Sequence, residues 1–431
     1  MKITFKETEI GMIPEDWEVR SITQLGEVIT GKTPKTNDNA NFGKDCQFIT
    51  PRDMKGQKHT HETERYLSEK GKNSVKNSLI PKNSICISCI GSDMGKITMT
   101  TDESVTNQQI HSIITKISAD FIYYAMLNIS QHIKNLGKQS TAIPILNKTQ
   151  FSKISIPLPS DTLEIEQIAK TLSDLDSKIE LNQQMNKTLE AIGKAIFKHW
   201  FVDFEFPNEN GKPYKSSGGE MIYNKELGKE IPNGWSVKSL YNCAQFINGD
   251  AFRDTDFSLD EEGLPIIKIF ELKYGIAPQT NFTNKIVESK YLIDNEEILF
   301  AWSGSPDTSI DTFIWTKGKA ILNQHIFKVI EYDPIEKTFI YFLLKYLKKV
   351  FVEIARNKQT TGLGHVTIDN MKHLLVIVPN NDIMKKFNNI TNPIFSKMCH
   401  NSVNSHASMY LRDSLLPKLM SGKIRIPAVA N

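Results

Sequence analysis

The sequence predicts a mixed α/β protein made of two diverged copies of one unit, each a globular domain followed by a long helix. Three observations carry that reading. A series of short segments recurs at a nearly constant interval. Strand-like runs bounded by turn residues fill the first part of each copy. A helical stripe at heptad spacing fills the second.

The recurrence comes first. Ile13-Pro14-Glu15-Asp16-Trp17-Glu18-Val19 returns as Ile231-Pro232-Asn233-Gly234-Trp235-Ser236-Val237, and Trp17 to Trp235 is an interval of 218 residues. Asn107-Gln108-Gln109-Ile110 returns as Asn323-Gln324-His325-Ile326, and Phe121-Ile122-Tyr123-Tyr124 as Phe339-Ile340-Tyr341-Phe342. Lys138-Gln139-Ser140-Thr141 returns as Lys358-Gln359-Thr360-Thr361, and Ser177-Lys178-Ile179 as Ser396-Lys397-Met398. Five anchors keep their order while the interval drifts only between 216 and 220 residues. Chance similarity among Ile- and Lys-rich segments would not preserve the order.

The strand-like runs are short. In the first copy they fall at 47–50, 84–88 and 113–115, and in the second at 265–270 and 297–302. β-Branched and aromatic residues between Gly, Asn, Asp and Ser fit a pleated, half-buried surface. One helix is expected in each globular part, around 119–136 and 336–356.

The long helix of the first copy shows a seam of Ile168, Leu172, Leu175, Ile179, Asn182, Asn186, Leu189, Gly193 and Ile196, at alternating steps of four and three. Asp161 stands as an N-cap, with Glu164 three residues on as a capping box requires. A forty-residue helix is about 60 Å long, and such a stripe needs a partner. The equivalent stretch of the second copy offers one through Phe387, Ile394, Met398, Asn401, Leu411, Leu415 and Leu419. Thr391, Ser405 and Ser408 dilute that seam, and Pro393 predicts that the second helix begins or kinks there. Near Asp382 the capping-box acid is missing, since Lys385 follows. Asn182 and Asn401 occupy equivalent seam positions, where a polar residue fixes register. The expected segments are therefore 1–160 and 211–380 for the globular domains, and 161–210 and 381–431 for the helices and their tails.

Composition bounds the function. Of 431 residues, 39% are apolar and 23% charged, as in an ordinary water-soluble protein, and a net charge of +3 permits a basic face without demanding one. Five cysteines argue against a disulfide framework and for a reducing compartment. Neither a secretory leader nor a run of about 20 apolar residues is visible, so a cytoplasmic protein is expected.

Two chemical motifs are decoys. Gly26-Glu27-Val28-Ile29-Thr30-Gly31-Lys32-Thr33 matches the formal phosphate-loop pattern. Val28-Ile29-Thr30 favours a strand over the tight curl that aims amides at phosphate, and Pro34 with a polar run blocks the helix that should follow. Cys86-Ile87-Ser88-Cys89 lacks the second ligand pair that zinc requires, and strand alternation puts its thiols on opposite faces, as buried structural groups. No nucleophile elbow, Asn-Pro-Pro-aromatic methyltransferase motif, glycine-rich S-adenosylmethionine loop or nuclease cluster stands out. A binding protein is favoured over an enzyme.

The two Ile-Pro-x-x-Trp entries, the helix end Ile196-Phe197-Lys198-His199-Trp200-Phe201-Val202-Asp203-Phe204-Glu205-Phe206-Pro207, the lead-in Leu227-Gly228-Lys229-Glu230-Ile231-Pro232 and the terminal Leu415-Leu416-Pro417-Lys418-Leu419-Met420-Ser421-Gly422-Lys423-Ile424-Arg425-Ile426 form a recognisable set. In these features, over essentially its whole length, the chain resembles the specificity subunits of type I restriction–modification systems. The resemblance implies a non-catalytic subunit with no cofactor of its own and with two target-recognition domains, each reading one half of a bipartite, asymmetric double-stranded DNA site. It implies a pseudo-twofold repeat in which the long helices pack antiparallel as a coiled coil and set the domain separation. It also implies two methyltransferase subunits carrying S-adenosylmethionine, which methylate adenine, and two motor–nuclease subunits using ATP and Mg. The alternative is a two-armed coiled-coil scaffold that binds only protein.

Polar, basic loops at equivalent places in the copies are the expected DNA contacts. In the first copy these are Lys32, Thr33 and Lys35; Arg52 and Lys55; Ser88 and Ser92; and Lys138, Gln139, Ser140 and Thr141. In the second they are Arg253; Lys268 and Lys273; Trp302, Ser303 and Ser305; and Lys358, Gln359, Thr360 and Thr361. Arg and Lys pair with guanine or phosphate, Gln with adenine, and Ser or Thr with either. Trp17 and Trp235 read as core anchors, and Asn107, Gln108, Asn323 and Gln324 as structural hydrogen-bonding groups beside strands. The exposed helix faces and Phe197, Trp200, Phe201, Phe204 and Phe206 are the expected partner-docking surface, too aromatic to be a free helix end.

Overall fold

The computed structural model describes residues 3–138, 144–258, 262–358 and 363–426, with only the backbone at Lys138. The chain forms two compact units. One comprises Met1–Glu180 with Ala407–Asn431, the other Leu181–His406. Each long helix is therefore divided between them.

In the first unit, strands β1 (Gly26–Thr30), β2 (Phe42–Ile49), β3 (Ile85–Ser88), β4 (Ile97–Thr100), β5 (Ser104–Thr106) and β6 (Ile110–Thr115) supply two sheets. One runs β1-β6-β3-β4 with His59–Thr60 at its edge, and the other runs from Arg65–Leu67 through β2 and β5 to Leu79–Ile80. Period-2 alternation along the strands feeds two cores. Ile85, Ile87, Ile97, Met99 and Ile113 face the helical side with Phe121, Tyr124, Trp17, Leu172 and Leu419. Cys86, Ile110 and Ile49 face the opposite side with Met54 and Ile80. Cys86 and Cys89 thus lie buried in separate clusters, and burial pushes both thiols up to about 12.

Helix α1 spans Thr162–Phe201. The second unit then repeats the frame with β7 (Ala244–Asn248), β8 (Leu264–Ile267), β9 (Ile298–Ala301), β10 (Asp311–Ile314), β11 (Ala320–Leu322) and β12 (Ile326–Glu331). Its sheets run β7-β12-β9-β10, and from Phe282–Thr283 through β8 and β11 to Leu292–Ile293. The strand order is that of the first unit, apart from the edge strand His59–Thr60, which has no counterpart among the described residues. β5 lies parallel to β2 (Val105 opposite Phe48) as β11 does to β8 (Ile321 opposite Ile266). The expected single helix of each globular part is two, Ala119–Asn128 with Ser130–Lys138, and Lys337–Tyr346 with Lys348–Asn357.

Helix α2 spans Asn381–Met420 and runs through Pro393, so of the two expectations, a start or a kink there, the start is overturned. It starts at Asn380, whose Oδ1 accepts the Ile383 N–H at 3.0 Å. Pro393 and Asn389, four residues back, are both exposed, so water can satisfy the carbonyl that proline leaves unpaired. At the start of α1, Asp161 Oδ1 accepts the Leu163 N–H at 2.9 Å. Glu164 is buried, and its carboxylate takes the Trp17 indole N–H at 3.3 Å and Arg425 Nη2 at 2.6 Å, so the expected capping box gives way to a buried ion pair.

The helices run antiparallel in both units. In the first, Asp176 pairs with Arg412 while Glu164, earlier on α1, meets Arg425, beyond the end of α2. In the second, Asn186 Nδ2 donates to the Met398 carbonyl at 3.0 Å and to Ser402 Oγ at 2.9 Å, and Asn401 Nδ2 donates to Asn186 Oδ1 at 3.0 Å. Further along α1, Phe197 and Phe201 meet Phe387. Asn401 therefore pairs with Asn186. Asn182, its equivalent by sequence, is buried with Nδ2 making no hydrogen bond among the described residues.

Candidate nucleic-acid interface

In the first unit, five connections meet at one edge of the sheets and are tied together by backbone hydrogen bonds. Gly31 N–H donates to the Ile110 carbonyl at 3.1 Å, and Asn107 N–H to the Ile49 carbonyl at 3.0 Å. Cys89 N–H donates to the Gln109 carbonyl at 2.8 Å, and Leu146 N–H to the Cys89 carbonyl at 2.9 Å. The segments after β1, β2 and β3, the β5–β6 turn and the strand-like Ile145 region thus form one cluster. Side chains reinforce it. Thr33 Oγ1 donates to Gln108 Oε1 at 2.6 Å, and Lys96 Nζ to the Pro51 carbonyl at 3.2 Å.

The second unit repeats the wiring bond for bond. Gly249 N–H donates to Ile326, Asn323 N–H to Ile267, Trp302 N–H to His325 and Val366 N–H to Trp302, at 3.1, 3.1, 3.4 and 2.8 Å. Gly31 and Gly249 mark the same close approach. A Cβ on Gly31 would lie 2.2 Å from the Asn107 carbonyl oxygen, and one on Gly249 2.2 Å from that of Asn323. This contact explains Gly31 without any phosphate, and Gly26–Thr30 is strand β1.

Most of the sequence-derived residues fall on these edges. Lys32, Lys35, Arg52, Lys55 and Ser92 are exposed, and Thr33 is half-buried. In the second unit Arg253, Ser305 and Lys358 are exposed, while Trp302 and Ser303 are half-buried. Trp302 stacks on Phe327 at 5.5 Å between centroids, and its indole N–H donates to Asn248 Oδ1 at 2.9 Å, which holds the ring rigid at the edge. Gln139, Ser140, Thr141, Gln359, Thr360 and Thr361, and the side chain of Lys138, lie outside the described residues.

One assignment changes, and two lysines have neighbours within the protein. Ser88 has no exposed surface, since it lies in β3 opposite Ile110, so it can touch no ligand unless the strand opens. Lys268 is half-buried with Nζ 5.1 Å from the Phe257 ring centroid, held by a cation–π contact. Lys273 is half-buried too. Burial pulls its ammonium down, Asp311 opposes that and Lys348 adds to it.

The aromatic docking surface is also corrected. Phe197, Trp200, Phe201, Phe204 and Phe206 are 2–6% exposed within the second unit's main core. Trp235 stacks on Phe206 at 4.8 Å, and Phe201 meets Phe387 edge-on at 4.8 Å. A helix end this aromatic is core because a domain folds around it.

Sequence reasoning assigned no role to His325 and read Gln108 and Gln324 as structural groups beside strands. All three are exposed in the edge turns, whereas their neighbours Asn107 and Asn323 carry the turn itself. The signal was present, since the Asn recurs unchanged while the third residue of the turn shifts from Gln109 to His325.

Comparison with known proteins assigns the architecture. The type I restriction modification DNA specificity domain matches residues 14–191 and again 232–395. The chain is 30% identical to the type I restriction enzyme MjaIX specificity subunit of Methanocaldococcus jannaschii, over 98% of this chain and 96% of that one. The chain belongs to this family. As a specificity subunit it is a DNA-recognition component of a restriction–modification complex and not a catalytic one. The subunit is also 36% identical to the HindI specificity subunit of Haemophilus influenzae, over 42% of this chain and 40% of that one. Its fold is that of the type I restriction–modification S subunit from M. genitalium, with a TM-score of 0.56 over 100% of both chains at 15% identity.

Proposed function

We propose that each looped edge reads one half of a bipartite, asymmetric DNA site. The observation that carries this reading is the contrast between wiring and surface. The two edges share their hydrogen-bonded frame bond for bond, yet display different side chains: Lys32, Arg52 and Lys55 on one, Arg253, Trp302 and His325 on the other. A shared frame with unlike surfaces suits unlike half-sites. Exposed Lys and Arg supply backbone affinity and its salt dependence, and Gln, His and Arg side chains supply base-edge contacts. The helices hold the recognition units and dock two methyltransferase subunits, which bring S-adenosylmethionine and methylate adenine. Two motor–nuclease subunits bring ATP and Mg, and this chain carries no cofactor. The complex works in the cytoplasm. No helix among the described residues is long and apolar enough to cross a membrane.

Mapping methylated adenines in cells that carry the intact system tests this. A bipartite motif with a fixed gap is expected, and exchanging residues 1–160 for the corresponding domain of another family member changes one half only. A change in both halves, or in neither, refutes the reading.

A further inference from the structure

Away from the looped edge, the first unit brings together two histidines and a carboxylate. His59 and His61 alternate along the edge strand His59–Thr60 and its continuation, so both project to one side. Thr60 points the other way, buried and hydrogen-bonded to Thr98 Oγ1 at 2.8 Å, which fixes the orientation of the strand. Glu180 arrives from α1, more than a hundred residues later in the chain. Its Oε1 accepts the His59 backbone N–H at 3.0 Å, so the carboxylate is held in place by main chain. Its Oε2 lies 3.0 Å from His59 Nδ1 and 3.7 Å from His61 Nε2. One donor atom from each residue lies within 4.8 Å of the other two.

We propose that His59, His61 and Glu180 form a binding site for a first-row divalent cation, zinc by its donor set, with water completing the coordination. Bonds of about 2.0–2.2 Å in tetrahedral geometry place ligand atoms about 3.4 Å apart, which the 3.0 and 3.7 Å separations bracket. Two imidazoles and one carboxylate suit zinc and its neighbours rather than magnesium or calcium, which favour all-oxygen shells. The His59 N–H on Glu180 is the outer hydrogen bond that orients a ligating carboxylate. His61 is 60% exposed on its side chain, so an ion has a way in. A bound ion would tie the edge of the recognition sheet to the long helix within the first unit. The second copy has no counterpart, since Cys399 follows Ser396-Lys397-Met398 where Glu180 follows Ser177-Lys178-Ile179.

The test uses the full chain stripped with a chelator and titrated calorimetrically with zinc alone. One equivalent is expected to bind. His61→Ala and Glu180→Gln should each weaken binding by about tenfold or more, while His132→Ala, an exposed histidine elsewhere, leaves it unchanged. His61→Ala removes an exposed ring and should fold. Should a variant fail to fold, cobalt substitution of the unmodified chain decides, because a tetrahedral site gives an intense visible absorption that zinc then displaces. Absence of stoichiometric binding, binding indifferent to both substitutions, or a cobalt spectrum of the hexaaqua type overturns the proposal.

Discussion

At the scale of single residues, the two edge glycines and a buried histidine set the interface. Gly31→Ala drives a Cβ against the Asn107 carbonyl, and Gly249→Ala does the same at Asn323. Backbone is on both sides of the clash, so neither partner rotates away. Each substitution should cost about 1–3 kcal/mol, whereas Lys32→Ala, on an exposed side chain, should stay within about 0.5 kcal/mol. Denaturant unfolding of the three variants checks this. Equal effects at Gly31 and Lys32 would contradict the close-approach reading of the glycine. Beneath the same edge, His111 lies between Thr30 Oγ1 at 3.0 Å and the Leu146 carbonyl at 3.1 Å. A carbonyl only accepts, so Nε2–H donates to Leu146; burial favours the neutral ring, in which Nδ1 accepts from Thr30. Burial pushes His111 below its ordinary 6.5. The folded state therefore binds this proton less readily than the unfolded one. Its stabilising contribution is full above pH 6.5 and is lost as pH falls through the depressed folded value. Protection factors of β6 amides, which correct for the intrinsic slowing of exchange in acid, should fall below that pH. His111→Gln, which does not titrate, should lower stability yet flatten this part of the pH slope. An unchanged slope would show that other groups cause it.

At the scale of elements, α1 and α2 show what patterning reveals and where it stops. The heptad seam and the recurrence of the entry motif were enough to place both long helices, and β-branched runs marked some of the strands, although the run at 265–270 continues into the helix Ile269–Tyr274. Side-chain destinations were less legible. Ser88 looks like a loop residue, next to Gly91-Ser92, and only strand register turns it inward. Glu164 sits at capping-box spacing, yet Trp17 and Arg425 claim it across 147 and 261 residues of chain. Long-range partners leave no mark on local spacing. The same limit applies to Asp176, 3% exposed on its side chain, which pairs with Arg412 and also accepts the Tyr124 hydroxyl at 2.6 Å. Arg412→Met should destabilise the first unit by about 3–5 kcal/mol, because it strands a buried carboxylate. Adding Asp176→Asn should recover much of that loss, since the uncompensated charge goes too. A thermal double-mutant cycle measures the coupling, and additive losses would mean that the pair does not act as a unit.

At the scale of the whole chain, the sequence repeats and the compact units do not coincide. The first unit is closed by residues 407–431, which belong to the second copy of the repeat. Leu416, Leu419 and Met420 are 7%, 2% and 2% exposed in the same core as Trp17, Ile168 and Leu172. Gly422, at φ 66°, lies where a Cβ would meet the Pro14 ring at 2.3 Å, and Arg425 pairs with Glu164 and with Asp16 at 2.8 Å. Burying three such side chains is worth roughly 5–9 kcal/mol together. That is comparable to the entire stability of an ordinary domain, about 5–15 kcal/mol. A chain ending at residue 406 should therefore lose the first unit while keeping the second, whose core lies within residues 181–406. Hydrogen exchange by mass spectrometry would show the strands from β1 to β6 unprotected and those from β7 to β12 protected. Adding back a peptide of residues 407–431 should restore part of the first unit's protection, with DNA affinity following it. If the first unit of the shortened chain stayed fully protected, the C-terminal segment would be an accessory to that core rather than a part of it. The expected loss has a further consequence for how the molecule is made. During synthesis the first recognition unit would then wait for residues 407–426, so a product truncated before them should keep one folded unit and lose the other.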